Sequence, residues 1–317
     1  MKVALTSMLG SILLLSACGD GNPFTDAELE TNIPTEETVA GDGTIFATGL
    51  NGDLTGDSFV YDDQGTPSTA DDILRVNNIP FDNSDISDGG YTLSSTTIPN
   101  AFDLYESDAS GSSSRQYYAI FQRSEFSEVA AIATGDYIQF GFGGAAAQRL
   151  GNSNGIPDER ASFYTFTGDY AAVRVTTNQG GSDDLEYITG DAVLTVDILD
   201  FDETGAVEGT ITNRELFDVN GVSLGSLNDF ISLATADIDF ATGDIGSSIA
   251  SSNEGVIDPV TGAPTLNEVT SGDWQGFFAG PDGEEIAGFV VLEGQTTAAE
   301  AEDDARETGV FIVTNTE

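Results

Sequence analysis

The sequence contains no histidine and a single cysteine, Cys18. The absence of histidine excludes Ser-His-Asp and Cys-His catalysis, zinc sites with histidine ligands and haem with an axial histidine. One cysteine allows no disulfide within the chain and no thiolate cluster for zinc or iron–sulfur centres. The folded chain must therefore be stabilised by packing and by backbone pairing, and we predict no cofactor.

Positive charge is also scarce, because nine Lys and Arg residues face 54 Asp and Glu residues, for a formal net charge of −45. A field of this sign repels phosphate backbones and anionic head groups, so nucleic acid and an unassisted anionic bilayer are excluded as partners. Cationic partners remain compatible with it. The alternative is that the acidity only keeps a monomeric body soluble in a saline or calcium-containing medium.

Apolar residues are sufficient for a folded core. They make up 39% of the 317 residues and include 19 Phe and 9 Tyr, which argues against a wholly disordered chain. This length suits one large or two medium domains, and we expect two.

The first residues have the organisation of a secretion signal. Lys2 provides positive charge, Val3 to Leu15 form an interrupted apolar stretch too short for a comfortable membrane span, and Leu15-Ser16-Ala17-Cys18 follows. This segment resembles the lipoprotein signal of bacteria, in which the cysteine is acylated and becomes the new amino terminus. We therefore predict cleavage after residue 17 and lipid, such as palmitate, on Cys18. An ordinary signal with a chance cysteine is the alternative.

Two features after the cysteine bear on location. Gly19, rather than Asp, follows it, which by the sorting pattern of bacterial lipoproteins favours the outer membrane. The polar segment 18–42 is typical of a flexible tether. We expect a lipid-anchored outer-membrane protein whose body is either exposed at the cell surface or faces the periplasm.

The remaining sequence predicts an all-β fold, because short runs of β-branched and aromatic residues are separated by Asn, Asp and Gly. An N-terminal β-rich subdomain is predicted over 43–150, with strands at Ser58–Tyr61, Ile73–Val76, Tyr91–Leu93, Asp103–Tyr105, Gln116–Arg123, Val129–Ala133 and Tyr137–Gly143 and a helical turn at Ala145–Leu150. A C-terminal domain over 160–317 is predicted to form an eight-stranded antiparallel barrel. Its strands are expected at Ser162–Thr167, Ala171–Thr177, Leu185–Leu199, Val207–Asn213, Thr235–Ala241, Trp274–Ala279, Glu285–Leu292 and Gly309–Thr314, with a short helix at Leu227–Leu233.

The clearest motif is near the carboxyl end. Trp274, Gly276, Phe278 and Gly280 share one face of a strand, as large and small residues do on a curved barrel wall. A tight turn is predicted at Pro281-Asp282-Gly283. This segment, with Glu285-Ile286-Ala287-Gly288 and the final Gly309-Val310-Phe311, resembles the last hairpin of the barrel domain of transferrin-binding protein B and its relatives.

Weaker similarity extends over about 160–317. The resemblance implies a surface lipoprotein of a Gram-negative bacterium. Some members of that family take iron carriers or haem-binding proteins from a host.

Three acidic clusters and one pair of neighbouring glutamates are candidates for chemistry. Acidic clusters suit calcium, although Asp200 and the residues after it lack the spacing of an EF-hand, because Ile211 stands where Glu is needed. The clusters are Asp62/Asp63 with Asp71/Asp72, Asp183/Asp184/Glu186 and Asp197/Asp200/Asp202/Glu203. Glu284 and Glu285 cannot flank one glycosidic bond, since neighbouring strand residues point to opposite faces. We predict no metal site and no catalytic residue.

Single residues of scarce types have structural interpretations. Trp274 is the only tryptophan and is expected in the barrel core, with ligand stacking as the alternative. Arg160, Arg174 and Arg214 are expected to pair with acids inside the fold or across strands.

Three functions remain open on the sequence alone. The first is a non-catalytic binding module for a protein or small solute, with iron or haem acquisition as the use that the resemblance implies. The second is a structural or adhesive envelope lipoprotein. The third is a hydrolase that uses carboxylates.

Overall fold

A computed structural model describes residues 40–50, 54–56, 58–79, 90–107, 115–137, 140–151, 155–157, 163–177, 184–198, 205–227, 230–257, 264–296 and 303–316. All of them belong to one compact unit, Pro34–Glu317. The predicted signal peptide, Cys18 and all but the last residues of the predicted tether lie outside these ranges. In the described part of the chain, no helix has the length and apolar character needed to cross a membrane.

The fold is all-β, as predicted, with two 3-10 turns at Ala47–Gly49 and Thr69–Asp71. The first eight strands are β1 (Ala40–Phe46), β2 (Ser58–Asp62), β3 (Ile73–Asn77), β4 (Tyr91–Leu93), β5 (Asp103–Glu106), β6 (Tyr118–Arg123), β7 (Ser127–Ala133) and β8 (Gly144–Leu150). The other nine are β9 (Tyr164–Thr176), β10 (Asp184–Asp197), β11 (Ala206–Asp218), β12 (Ser223–Ser226), β13 (Phe230–Asp239), β14 (Asp244–Ile257), β15 (Pro264–Ala279), β16 (Glu285–Thr296) and β17 (Asp303–Asn315).

The first sheet is a curved, half-closed barrel. Its strands run in the order β1-β8-β7-β6-β5-β4-β3-β2, and each described pairing is antiparallel. β2 to β7 therefore form a meander in which each strand pairs with the next. β8 returns beside β7, and β1 covers the far edge of β8.

The second sheet closes into the predicted eight-stranded barrel. Strands follow the order β10-β9-β17-β16-β15-β14-β13-β11, and β10 pairs with β11 to complete the circle. The closing register runs from Glu186↔Asp218 to Asp197↔Ala206. β12 is a ninth strand outside the circle, because it pairs only with the last residues of β11.

Side chains alternate between two cores with the period of two expected for strands. Inside the barrel lie Phe166, Trp274, Phe278 and Phe311, all with no exposed surface. The opposite faces of the same strands pack against the first sheet, in a core where Phe277 and Phe289 meet residues such as Ile120 and Ala131. The faces predicted for the Trp274 strand are therefore confirmed, and the sheets share one apolar layer.

Aromatic rings lie over glycines on the barrel wall. Phe311 is the direct cross-strand neighbour of Gly288, and Tyr170 lies against Gly309. A side chain at either glycine would occupy the space of the ring. Large and small residues thus alternate as the sequence predicted. The tight turn is confirmed too, since the Gly283 N–H donates to the Gly280 carbonyl at 3.4 Å.

Several predicted elements are wrong. The two strands predicted at Ser162–Thr167 and Ala171–Thr177 are one continuous strand, β9, because residues 168–170 pair with both neighbouring strands. Ala145–Leu150 forms strand β8 rather than a helical turn, because Ala145 and Ala147 face the shared core while Ala146 faces the other side of the sheet. The described part of Tyr137–Gly143 consists of bends and an isolated bridge, not a strand. β13 begins within the predicted helix Leu227–Leu233, and Ile231 and Leu233 point into the barrel core.

The two sheets are also joined by polar contacts. The Arg149 Nε–H of β8 donates to the Phe278 carbonyl at 2.7 Å, its Nη2 lies 2.8 Å from Asp244 Oδ1, and its guanidinium stacks over the Phe277 ring at 4.5 Å. Ser124 and Ser127 donate to Glu285 Oε2 at 2.6 and 2.8 Å. The predicted division into domains 43–150 and 160–317 stays a prediction.

Candidate functional site

The acidic cluster of the β2–β3 hairpin is used inside the hairpin. Asp62 pairs with Arg75 at 3.0 Å, Asp63 accepts the Gly65 N–H, and Asp71 accepts the Thr66 hydroxyl. These contacts shape the turn and leave the carboxylates pointing in different directions. Across the described residues, no three Asp, Glu, His or Cys side chains are placed to share a metal ion.

Asp72 is the buried member of this cluster, with 2% of its surface exposed. Its Oδ2 accepts the hydroxyl of Tyr61, and burial together with this bond raises the pKa of Tyr61. Burial and the nearby charge of Asp72 also raise the pKa of Asp103. Because Asp72 is enclosed, its carboxylate cannot reach a substrate in solution.

The second acidic cluster lies at one end of the barrel. Glu186 points into the barrel and accepts the Arg174 Nε–H at 3.0 Å, which confirms the pairing predicted for that arginine. Asp184 lies at the barrel rim. Asp183 and three acids of the last cluster (Asp200, Asp202 and Glu203) fall outside the described residues, as does Arg160.

A buried polar layer continues from this pair. Arg214 forms an ion pair with Glu307, and the Tyr170 hydroxyl donates to the other oxygen of Glu307 at 2.6 Å. Arg214 is 2% exposed and Glu307 6%, so the pairing predicted for Arg214 is also confirmed. A cavity of about 10 Å³ beside these groups has room for about one water molecule. The layer closes this end of the barrel core and offers no space for a larger ligand.

The tryptophan and the glutamate pair considered in the sequence are structural. Trp274 has no exposed surface, and its indole N–H donates to the Ala234 carbonyl at 2.9 Å, as expected of a core residue. Glu285 is 5% exposed and accepts the two serine hydroxyls of the first sheet, while Glu284 accepts the Asp282 N–H at 3.0 Å. Glu284 lies in the turn before β16 and not in the strand, and the two glutamates serve different contacts.

A groove of about 360 Å³ lies where the first sheet meets the rim of the barrel. This volume is within the range of small-ligand sites. Four carboxylate residues line the groove: Asp136 from the first sheet and Asp184, Glu186 and Asp218 from the barrel. Among the described residues, no Lys or Arg contributes to the lining.

The walls of the groove come from both sheets. The Tyr118 ring of β6 meets the buried Tyr187 ring of β10 edge to face, with centroids 6.3 Å apart. Opposite, the turn from β11 to β12 passes so close to the first sheet that a Cβ at Gly221 would lie 2.7 Å from the Thr97 carbonyl oxygen. Leu185 and Leu224 add apolar surface. The groove is thus held by packed elements on either side.

Backbone N–H groups orient two of the carboxylates. Asp218 accepts from Val222 at 2.8 Å and from Asn220 at 2.9 Å, and these bonds lower its pKa, the Val222 bond most. Asp136 accepts the Gln116 N–H at 2.9 Å. Burial, with the charges of Glu106 and Asp136, raises the pKa of Tyr118. The groove therefore combines a fixed anionic group with a neutral phenol, which suits a cationic ligand.

Sequence reasoning did not single out Tyr118, Asp136, Asp218 or Leu224. The one local signal was Leu224, a large apolar residue among Ser and Gly in a stretch of turn-like composition. The meeting of the chain near residue 118 with that near residue 218 is a product of the tertiary fold.

Comparisons with known proteins concern the fold. No protein-family model and no curated protein matches the chain. Among solved structures, it is similar to transferrin-binding protein B, a vaccine antigen, in a double mutant from Haemophilus parasuis Hp5, with 14% identity, a TM-score of 0.35 and coverage of 73% of this chain and 39% of that one.

Two further structures of the same kind are similar. The intact protein with its N and C lobes has 11% identity, a TM-score of 0.35 and coverage of 76% of this chain and 44% of that one. A mutant from Actinobacillus pleuropneumoniae H49 has 12% identity, a TM-score of 0.35 and coverage of 77% and 92%. The chain thus spans about two fifths of the first of these structures. The predicted resemblance is confirmed for the fold alone. Sequence identity and TM-scores this low support no conclusion about ligands.

Proposed function

We propose that this chain is a non-catalytic binding module that holds a basic partner in the acidic groove between its two sheets. The groove itself carries the proposal: it is lined by Asp136, Asp184 and Asp218, a tyrosine and apolar walls, while the fourth acid, Glu186, faces Arg174. Carboxylates of this kind attract ammonium and guanidinium groups, which form charge-assisted hydrogen bonds with them. The formal net charge of −45 adds long-range attraction for the same partners.

The location remains the one predicted from the amino-terminal motif. We propose export, lipid attachment at Cys18 and residence in the outer membrane, with the body monomeric. A Cys18→Ser variant is expected to leave the membrane fraction after cell fractionation. Retention of that variant in the membrane would contradict the anchor.

The groove argues against the other uses considered. Haem carries two anionic propionates, which four carboxylates would repel, so the groove does not favour haem. A hydrolase based on carboxylates needs a general acid with a raised pKa, and Asp218 does not suit that role, because backbone N–H groups lower its pKa. A purely structural envelope protein has no need of an anionic groove, and binding is the better explanation.

Binding of hexalysine to the full-length protein in a non-ionic detergent tests the proposal, with hexaglutamate as the probe of opposite charge. Asp136→Asn combined with Asp218→Asn removes two groove charges and keeps an oxygen that accepts the backbone N–H groups. We expect hexalysine affinity to fall about tenfold, because each exposed ion pair contributes roughly 0.2–1 kcal/mol. Isothermal titration calorimetry at 50 mM salt measures the change.

The control removes equal charge elsewhere. Asp237 and Asp282 are exposed residues at the opposite end of the barrel, so Asp237→Asn with Asp282→Asn should change affinity less than twofold. An equal loss in both double variants would show that hexalysine responds to overall charge alone. That result, or the absence of binding, would overturn the proposal.

A further inference from the structure

Strand β12 borders the acidic groove and is the terminal strand of its sheet. It pairs with Glu215–Phe217 of β11 on one edge, and none of the described residues forms a strand on its other edge. Such an edge presents backbone N–H and C=O groups that can pair with another chain. Proteins usually protect these edges with Lys, Pro or an inward charge, but Ser223-Leu224-Gly225-Ser226 contains none of these.

The surface of this edge is apolar and open. Val222 and Leu224 are 58% and 54% exposed, and Phe230, a few residues further on, is 44% exposed. These three residues are half of the six large hydrophobic side chains that are exposed in the described part of the chain. A Cβ built on Gly225 would meet no atom within 4 Å, so nothing described covers that position. Exposed large apolar residues at nearby positions, such as Val222 and Leu224, are typical of interaction surfaces.

The edge and the groove are continuous. Leu224 belongs to β12 and also lines the groove, and Asp218 accepts N–H groups from the turn that leads into β12. A strand added beside β12 would place alternate side chains on each of its faces. Side chains on one face would reach toward Leu224 and the groove carboxylates, and Val222 adds exposed apolar surface at the end of the strand.

We propose that β12 takes up an extended segment of a partner protein as an additional strand, and that this segment carries both basic and apolar residues. Backbone pairing along an edge gives affinity, and the alternate side chains give selectivity. Charge complementarity selects this occupant, because the groove beside the edge is anionic and the chain as a whole carries −45. The inference rests on the proposed function and adds the form in which the basic partner binds.

The test compares three probes on the full-length protein in non-ionic detergent. The first is an acetylated and amidated octapeptide of alternating Lys and Val, the second is the same octapeptide with N-methyl groups on its four central residues, and the third is hexalysine. N-methylation removes the backbone donors on both edges of the peptide and keeps its charge. We expect the methylated octapeptide to bind at least tenfold more weakly than the first. Amide hydrogen exchange at Ser223–Ser226 should slow only when the unmethylated octapeptide is bound.

A matched pair of variants separates the edge from the groove. Val222→Ser, at an exposed apolar residue beside β12 that does not line the groove, should weaken octapeptide binding several-fold and leave hexalysine binding unchanged. Ile249→Ser, at an equally exposed apolar residue of β14, should change neither. Equal affinity of the two octapeptides, or unchanged exchange at β12, would overturn the strand addition. Loss of hexalysine binding in the Asp136 and Asp218 double variant would still support the groove in that case.

Discussion

At the scale of single residues, the scarce cations hold the interior together. Arg149, Arg174 and Arg214 are each at most 3% exposed, and each faces a carboxylate. A buried charge is tolerated in a fold only when it is paired and hydrogen-bonded. These three arginines are therefore buried where each of them can face a carboxylate.

Glu307 provides the sharpest test of this role. Glu307→Gln keeps a side chain of similar shape and the oxygen that accepts the Tyr170 hydroxyl, but it removes the negative charge that faces Arg214. Breaking a buried ion pair from one side typically costs about 3–5 kcal/mol. We expect the free energy of unfolding to fall by that amount in urea titrations near neutral pH.

The matched substitution for Glu307 is Glu208→Gln. Glu208 is exposed on β11, where it accepts the Thr235 hydroxyl at 3.0 Å. Surface substitutions of this kind usually change stability by less than about 0.5 kcal/mol. If the two variants lost similar stability, the buried pair would not contribute as its geometry indicates.

At the scale of elements, strands with strong patterns were predictable and weakly patterned ones were not. β4 agrees at both ends with its prediction, because a polar residue stands between two apolar ones, and β16 begins at the predicted Glu285, because a continuous apolar run follows a tight turn. β14 was missed, since its Gly, Ser and Asn residues are typical of loops. Its pairing with β13 and β15 compensates for low strand propensity.

Alanine-rich β8 was predicted as helical for a related reason. Alanine has the highest helix propensity, and the alternation of its small side chains is invisible as a hydrophobic pattern. Burial of Ala145 and Ala147 between the sheets decides its conformation. The groove could not be predicted from the sequence either, because the residues that form its walls are far apart in the chain.

The packing of aromatic rings over glycines predicts how a substitution at such a glycine changes stability. In Gly309→Ala, the new methyl group would collide with the ring of Tyr170, which is fully buried and cannot swing away. Overpacking of this kind costs about 1–3 kcal/mol. We expect a loss in that range, measured by thermal and urea unfolding.

Gly246→Ala is the control for this substitution. Gly246 also lies in a strand, but the nearest atom to a new Cβ would be the Asp237 carbonyl oxygen at 3.7 Å. Stability should be unchanged or slightly raised, because alanine restricts the unfolded chain. Equal losses at the two glycines would show that the contact with Tyr170 is not the cause.

At the scale of the whole molecule, the two sheets are expected to unfold together although one is open and the other closed. Both sheets contribute side chains to one apolar layer, and the Arg149 side chain of the first sheet donates a hydrogen bond to the backbone of the second. Separating the sheets would expose that layer to water, at a free-energy cost of about 25 cal/mol for each Å² of apolar surface. The predicted domain boundaries would then mark units of topology and not units of stability.

Hydrogen exchange at increasing urea concentrations tests this coupling. Peptides from β7 in the first sheet and from β16 in the barrel should lose protection at the same urea concentration, and the fluorescence of Trp274 should change there too. Arg149→Met keeps an apolar stem against Phe277 and removes the contacts to Phe278 and Asp244, so it should lower all three midpoints equally. Earlier opening of β7 alone would mean that the first sheet is an independent domain, held to the barrel more weakly than its buried contacts indicate.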